Sequence, residues 1–369
     1  MIDSLTGNDY TLCLCQHIHA LDKIQVLLIL PKERIIEIPV NFSVRFIAPS
    51  KNQNVRKFKK SIDYIIYILK LIFIIGKSKK QIIHFQFLRT KFDVLFFFIL
   101  GCFNVKLVYT AHNILPHENK QIDYFLYKII YQSAKKIIVH SRYIKNKLHN
   151  NFNINRSRID VIPHGDFNIY LPSNKNNNPR KEFGLDNNDN VLLFFGSIRK
   201  NKGLDLLLNT FSEISKSQNI KLIIAGFPTS EALRNHYHQK INQIKNNDHI
   251  IFHDFYVPFS KVPVYFEAAD IVVLPYQDID HSGVIHLAFS FSKPVITTNV
   301  GDFNEFITNG KNGYILDKND EISLLNSILK AFKDKNKLTE MGKYAYQYNL
   351  NHFSWRKSAA MTIETYKGL

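Results

Sequence analysis

Cysteine is scarce: three in 369 residues cannot make a disulfide framework, and Cys13, Cys15 and Cys102 lack metal-ligand spacing. Cys13 and Cys15 are two positions apart and point in different directions on a helix. All three read as buried thiols of a reducing compartment. Long apolar runs are also missing. The longest uninterrupted one, Val94 to Phe103, lies between Asp93 and Asn104, and Ile62 to Ile75 is broken by Asp63 and Lys70. A spanning helix takes about 20 apolar residues, so none is expected. The first residues have no basic region, with Asp3 and Asp9 in its place, and no apolar core follows. No signal peptide is expected on this reading. The chain is expected to be soluble, or to lie on a membrane without crossing it. Repeats of solenoid length are absent. No zinc spacing, RRM-type aromatic motif or helix-turn-helix signature is present, so no nucleic-acid partner is expected.

Acidic residues are few against basic ones, 31 to 48, for a net charge of +17. The imbalance is local. Residues 1–170 hold 25 Lys and Arg against 11 Asp and Glu, a net of +14, and the remainder carries +3. Lys51, Arg56, Lys57, Lys59 and Lys60 precede an apolar stretch, Tyr64 to Ile75, and Lys77, Lys79 and Lys80 follow it. Basic ends around an apolar helix suit an anionic membrane surface. The plainer reading is a solvated charge run beside an ordinary core helix.

This length exceeds one ordinary core and suits two domains, which an apolar content of 45% can fill. Short apolar runs alternate with helix-length segments. Strands are expected at Ile24–Leu30, Ile82–Phe87, Val105–Thr110, Lys136–His140 and Ile159–Pro163. A second set is expected at Val191–Phe195, Lys221–Ala225, Ile250–Phe252, Ile271–Pro275 and Pro294–Thr297. Such alternation implies parallel sheets covered on both faces. Leu171 to Asn190, rich in Asn, Pro and Lys, reads as an interdomain linker. Only Met1-Ile2 precede the loop Asp3 to Tyr10, so the first strand is expected to be mostly missing.

The stretch Phe194-Phe195-Gly196-Ser197-Ile198-Arg199-Lys200-Asn201-Lys202-Gly203 carries the most chemistry. An apolar strand, Val191 to Phe195, leads into it. A helical repeat of Leu204, Leu206, Leu207, Leu208 and Phe211 follows. Strand, glycine turn and helix start together make an anion site, because free N–H groups and the helix dipole favour negative charge. Arg199 and Lys202 add formal charge, and a diphosphate is the natural ligand. A surface turn in a Lys-rich protein is the bland alternative.

This stretch resembles the donor-phosphate motif of the family 4 glycosyltransferases of the GT-B fold. The resemblance continues in order through Thr110-Ala111-His112-Asn113, Pro116-His117-Glu118, Val161-Ile162-Pro163-His164-Gly165 and Leu222-Ile223-Ile224-Ala225-Gly226. It runs on through Ala268 to Tyr276, Ser282-Gly283-Val284, Lys293 to Thr298, Gly301 and Glu305. It implies an α/β GT-B fold: two facing Rossmann-like domains with parallel sheets and a cleft at their carboxyl edges. The domains would be 1–168 and 191–352, joined by a linker, 169–190. A final helix, 353–369, would cross back to the N-terminal domain, with Trp355 as a packing anchor.

The same resemblance implies transfer of a sugar from a nucleotide-diphosphate sugar to a lipid-linked or polysaccharide acceptor of bacterial lipopolysaccharide type. The reaction would be retaining and need no metal or other cofactor. The enzyme would be cytoplasmic, peripheral to the inner face of the cell membrane. His112 matches the active-site histidine. Gly196, Arg199, Lys202, Ser282, Gly283 and Val284 would bind the donor diphosphate. Sugar or acceptor contacts fall to Thr6, Gly7, His117, Glu118, Asp278 and Asp280. Asp278-Ile279-Asp280 superficially resembles the metal-binding Asp-x-Asp of another glycosyltransferase fold, but reads here as sugar-hydroxyl or loop contacts. Many family members carry two glutamates eight residues apart where this chain has Ile279 and Leu287. A subgroup instead shows Pro-Tyr, five residues and Ser-Gly-Val, as Pro275-Tyr276 and Ser282-Gly283-Val284 do here. A sugar-nucleotide 2-epimerase of the same fold and a non-catalytic binding subunit are the alternatives.

Overall fold

Apolar runs of three to six residues become strands, and the amphipathic stretches between them become helices. The computed structural model describes the chain apart from residues 4–8, 23, 33–35, 37–39, 50–56, 77–80, 89–90, 117–120, 172–177 and 215–218, and apart from the side chains of Lys57, Phe58, Lys60 and Lys91. In order the elements are β1 (Ile2–Asp3), α1 (Asp9–Asp22), β2 (Leu27–Pro31), β3 (Ser43–Ala48), α2 (Lys57–Gly76), β4 (Ile82–Phe87), α3 (Lys91–Cys102), β5 (Lys106–Thr110), α4 (Gln121–Ser133), β6 (Lys136–Val139), α5 (Arg142–Phe152) and β7 (Ile159–Val161). There follow β8 (Asn190–Phe195), α6 (Leu204–Ile214), β9 (Ile220–Ala225), α7 (Glu231–Asn242), β10 (Ile250–His253), α8 (Val262–Ala268), β11 (Ile271–Leu274), α9 (Gly283–Ser290), β12 (Val295–Thr297), α10 (Phe303–Phe306), β13 (Gly313–Ile315), α11 (Glu321–Phe332), α12 (Lys335–His352) and α13 (Trp355–Lys367). Contacts group these into two units, Met1–Gly165 with Ser354–Leu369, and Asp166–Phe353.

The first unit holds a parallel sheet in the order β3-β2-β1-β4-β5-β6-β7. β1 is reduced to two residues, matching the expectation of a largely missing first strand, yet Ile2 pairs with both Ile29 and Phe85. A cavity of about 890 Å³ opens beside it, lined by Leu27, Ile29, Ile82, Ile83, His84 and Tyr366 among others. The Met1 ammonium takes a place in the ladder, donating to the Leu27 carbonyl at 2.7 Å. Burial lowers its pKa. β3 was not foreseen: it is an edge strand with Arg45 at its centre and mostly outward-facing residues, so it shows no apolar run. Cys13 and Cys15 are buried as expected. Cys102 is exposed, because α3 ends there and the chain turns outward through Asn104 at φ +56°.

Helix α13 belongs to the first unit by its polar pins. Ser358 donates to the Pro163 carbonyl at 2.7 Å, and Thr365 to Asp160 at 2.9 Å. Trp355 is 3% exposed and packs against Tyr10 and His164, with ring centroids 5.2 and 5.6 Å away. The indole lies against Gly165, where a Cβ would come within 2.0 Å of its ring.

The second unit has the parallel order β10-β9-β8-β11-β12-β13, with β8 and β11 at the centre. Successive strands build outward from β8 to one side, then from β11 to the other. The boundary between these two strands is a topological switch point, where open α/β sheets bind ligands at the carboxyl edge. Residues of the asparagine-rich stretch that are described pack on this unit. Arg180 bonds Asp270 at 2.8 Å and the carbonyls of Asp186, Asn187 and Asp189. β13 escaped the sequence reading because it is only three residues long and opens with glycine.

Trp355 is the single tryptophan, so selectively excited tryptophan emission reports on this packing. Gly165→Ala forces the indole and the chain apart. Overpacking of this kind costs about 1–3 kcal/mol. The expected outcome is a red-shifted emission and a lower unfolding midpoint by chemical denaturation. Unchanged emission and midpoint would refute the contact.

Candidate active site

In the second unit the loops after β8 and β11 are stitched together at the switch point. Gln277 N–H donates to the Asn201 carbonyl at 2.8 Å, and the Asn201 amide to the Asp278 carbonyl at 3.0 Å. Residues Lys200–Lys202 form one 3₁₀ turn, closed by Gly203 at φ +68°. At Gly203 a Cβ would stand 1.8 Å from the Pro275 carbonyl oxygen, so only glycine allows this approach. Gly226, after β9, is under the same constraint: its Cβ would meet the Gly196 carbonyl oxygen at 1.8 Å. A Cβ on Gly196 would in turn lie 3.6 Å from Val284, in ordinary contact. The two sequence motifs expected to share a diphosphate are therefore neighbours.

Arg199 is half-buried on extended backbone just before the 3₁₀ turn. Lys202 places Nζ 3.8 Å from the centroid of the Tyr276 ring, a cation–π contact that holds the ammonium at the turn. Ser282 occupies the N-cap position of α9 but makes no capping bond. Its hydroxyl lies 3.4 Å from the Tyr276 hydroxyl. The N-terminus of α9, at Gly283 and Val284, thus adds backbone donors and the positive end of a helix dipole to two cations.

Ile279 and Leu287, which the resemblance matches to a pair of glutamates, are both buried in the apolar core. Asp278 is exposed and Asp280 half-buried on the same loop. The loop is anchored beneath by His281, whose Nδ1 lies 2.7 Å from the buried Asp302 carboxylate, and by the approach of Gly301 to the Ile279 carbonyl.

In the first unit the strand ends gather histidines. His112 follows β5, and its ring stacks on Phe87 at 4.4 Å and meets Tyr10 edge-on at 4.7 Å. His112 Nε2 lies 2.9 Å from Gln86 Oε1, and Nδ1 lies 3.2 Å from His140 Nε2. His84, on β4, contacts Thr110 at 2.7 Å and the Tyr366 hydroxyl at 2.6 Å. Burial drives the pKa of His84 down to about 3, so it stays neutral. Thr6, Gly7, His117 and Glu118 lie outside the described residues.

Sequence reasoning missed His84, Gln86, His140, His281 and Asp302. A signal was present for the first three. His84 and Gln86 are two apart on one strand and share a face, and His140 directly follows β6. Polar residues at the carboxyl ends of parallel strands mark the site of such sheets.

His84 has a pH consequence. Its folded pKa lies below the unfolded value, so the unfolded chain takes up a proton that the native unit does not. Stability therefore falls as pH drops from about 6.5 towards 3, by up to about 1.4 kcal/mol per pH unit from this group. His84→Gln is expected to flatten that acid limb in denaturant titrations at several pH values. An identical limb in wild type and variant would show that His84 is not the titrating group.

The chain matches the family model described as glycosyl transferases group 1 over residues 175–348, and that of glycosyltransferase family 4 over residues 9–165. An uncharacterized glycosyltransferase of Methanocaldococcus jannaschii is 26% identical over 256 residues, 68% of this chain and 64% of that protein. The matched regions span 63–65% of the length of this and two other curated relatives, just under two thirds. Among solved structures, sucrose-phosphate synthase of Thermosynechococcus elongatus has a TM-score of 0.81 at 18% identity, covering 100% of this chain and 94% of that one. The Anabaena protein HepE, solved with UDP-glucose, has a TM-score of 0.78 at 17% identity, covering 100% and 98%. These likenesses show the fold. Together the two glycosyltransferase models, each matching just under half of the chain, take in nearly all of it, and the fold is GT-B.

Proposed function

We propose that this protein moves a sugar from a nucleotide-diphosphate sugar to a lipid-linked or polysaccharide acceptor, with retention and without a metal or other cofactor. The observation that carries the reading is the junction of the two loops at the switch point of the second unit. It brings the turn that carries Arg199 and Lys202 against the loop that leads into α9. As the glycosidic bond to the diphosphate breaks, negative charge grows on the leaving group, and fixed donors and cations stabilise it. Here two side-chain cations and a helix end supply that charge. His112 is the proposed catalytic residue. Asp278 and Asp280, with Thr6, Gly7, His117 and Glu118, are proposed to contact sugar or acceptor. That a protein of the same fold binds UDP-glucose makes uridine nucleotides the first probes.

Calorimetry with UDP and other nucleoside diphosphates tests the phosphate assignment. Arg199→Ala and Lys202→Ala are each expected to weaken binding by about 1.5–3 kcal/mol, the value of a charge-assisted hydrogen bond. Unchanged affinity in both sinks the assignment. His112→Ala is expected to keep nucleotide affinity and lose most sugar transfer; full turnover would make His112 peripheral. Conversion of the nucleotide sugar without any acceptor would mark an epimerase instead.

The proposed site of action is an anionic membrane surface. Among the described residues no helix is long and apolar enough to cross a membrane. Yet Ile65, Leu69 and Ile72 on α2, and Phe92, Leu95 and Ile99 on α3, are exposed at helical spacing. Soluble monomers rarely expose large contiguous apolar patches. Lys59 at the start of α2 is exposed; Lys51, Arg56 and Lys77 to Lys80 lie outside the described residues. Each cation near an anionic surface contributes about 1 kcal/mol and is screened by salt. Charge reversal at Lys57, Lys59 and Lys60 should reduce sedimentation with anionic vesicles at low salt and leave nucleotide affinity intact. Equal binding to neutral and anionic vesicles, or none to either, would reduce these lysines to a solvated face.

A further inference from the structure

We propose that His112 and His140 form a single proton store, one extra proton shared between two rings, and that the Gln86 amide sets whether the proton stays. The hydrogen-bond partners fix the count. His140 Nδ1 lies 3.0 Å from the Ile162 carbonyl oxygen, which only accepts, so Nδ1 carries hydrogen. Between His140 Nε2 and His112 Nδ1, 3.2 Å apart, there is room for one hydrogen. His112 Nε2 faces Gln86 Oε1 at 2.9 Å, a second acceptor, so Nε2 carries hydrogen too. Three hydrogens occupy four ring nitrogens. Two neutral imidazoles hold two, so the pair carries one positive charge.

The orientation of Gln86 follows from its other side. Its amide nitrogen faces His84 Nε2 at 3.3 Å and the Met1 sulfur at 3.4 Å. The sulfur only accepts. Neutral His84 accepts at Nε2 when its proton sits on Nδ1, towards the Tyr366 hydroxyl. Gln86 is fully buried, so both ends of its amide need these partners. In the reversed arrangement the amide NH₂ donates to a bare His112 Nε2, and His84 shifts its proton to Nε2. The pair is then neutral, its extra proton having gone to water. The two states differ by one proton, one amide rotation and one tautomer of His84.

Other titratable groups facing the cluster are Tyr10 from α1, His164 after β7 and Tyr366 from α13, and the buried Met1 ammonium acts on His84. Gln86 and His140 are positioning residues: they set the orientation and charge of His112. The value of the store to catalysis rests on the role proposed for His112, but its existence does not.

The full-length chain labelled with ¹⁵N-histidine tests this by ring-nitrogen NMR between pH 5 and 9, with signals assigned from His112→Gln and His140→Gln. In wild type, His140 Nδ1 is expected to stay protonated throughout, and both rings are expected to report one shared titration. Gln86→Glu places a carboxylate beside His112 and should raise that midpoint by about one unit or more; Gln86→Leu should lower it. A bare His140 Nδ1, or two independent titrations in wild type, overturns the proposal even if neither Gln86 variant folds. These signals require no donor, so they decide the store even where no nucleotide sugar is turned over.

Discussion

The approach of the Gly203 backbone to the Pro275 carbonyl is the contact on which the proposed anion-binding edge depends. It brings the loop after β8 against the loop after β11, so that Asn201 can bond both Gln277 and Asp278. With the loops locked, Lys202 sits over the Tyr276 ring and the α9 N-terminus lies beside Gly196. Each of these groups is a weak anion ligand alone. Their convergence would make the proposed site, because donors fixed before a ligand arrives need no reorganisation. A single added methyl at either Gly203 or Gly226 would separate strands that the parallel ladder holds together.

A different constraint governs the first unit. Its strand ends place polar rings in an interior where each ring nitrogen must find a partner. The solution is a line of hydrogen bonds from the Ile162 carbonyl through His140, His112, Gln86 and His84 to Thr110 and Tyr366. Tyr10, Phe87 and Trp355 close apolar faces around it. Helix α13 is part of the device, since it supplies both Trp355 and Tyr366. Helix α13 thereby sets the surroundings of a histidine in the first third of the chain.

Much of the fold was legible. The ten expected strands all form, with ends displaced by three residues or fewer, because buried parallel strands read as continuous apolar runs. The two unforeseen strands and the remnant β1 lack that signature: β1 and β13 are very short, and β3 is an exposed edge. The residues of the proposed anion site in the second unit lie close in sequence on two loops, so local motifs pointed to them. His140 and Gln86 are 28 and 26 residues from His112, and only strand order makes them neighbours. Cys102 was misjudged because its burial depends on where α3 stops.

The sequence by itself determined two parallel α/β units, the glycine turn and its cations, and the basic bias of residues 1–170. These follow from periodicity, backbone freedom and charge, which are local or additive. Tertiary structure alone decided that Gly196 meets Val284, that Lys202 lies on Tyr276, and that Ile279 and Leu287 turn into the core. It also decided that three histidines, His84, His112 and His140, join one line of hydrogen bonds. Such pairings depend on register and strand order, which bring together side chains that no spacing along the chain relates.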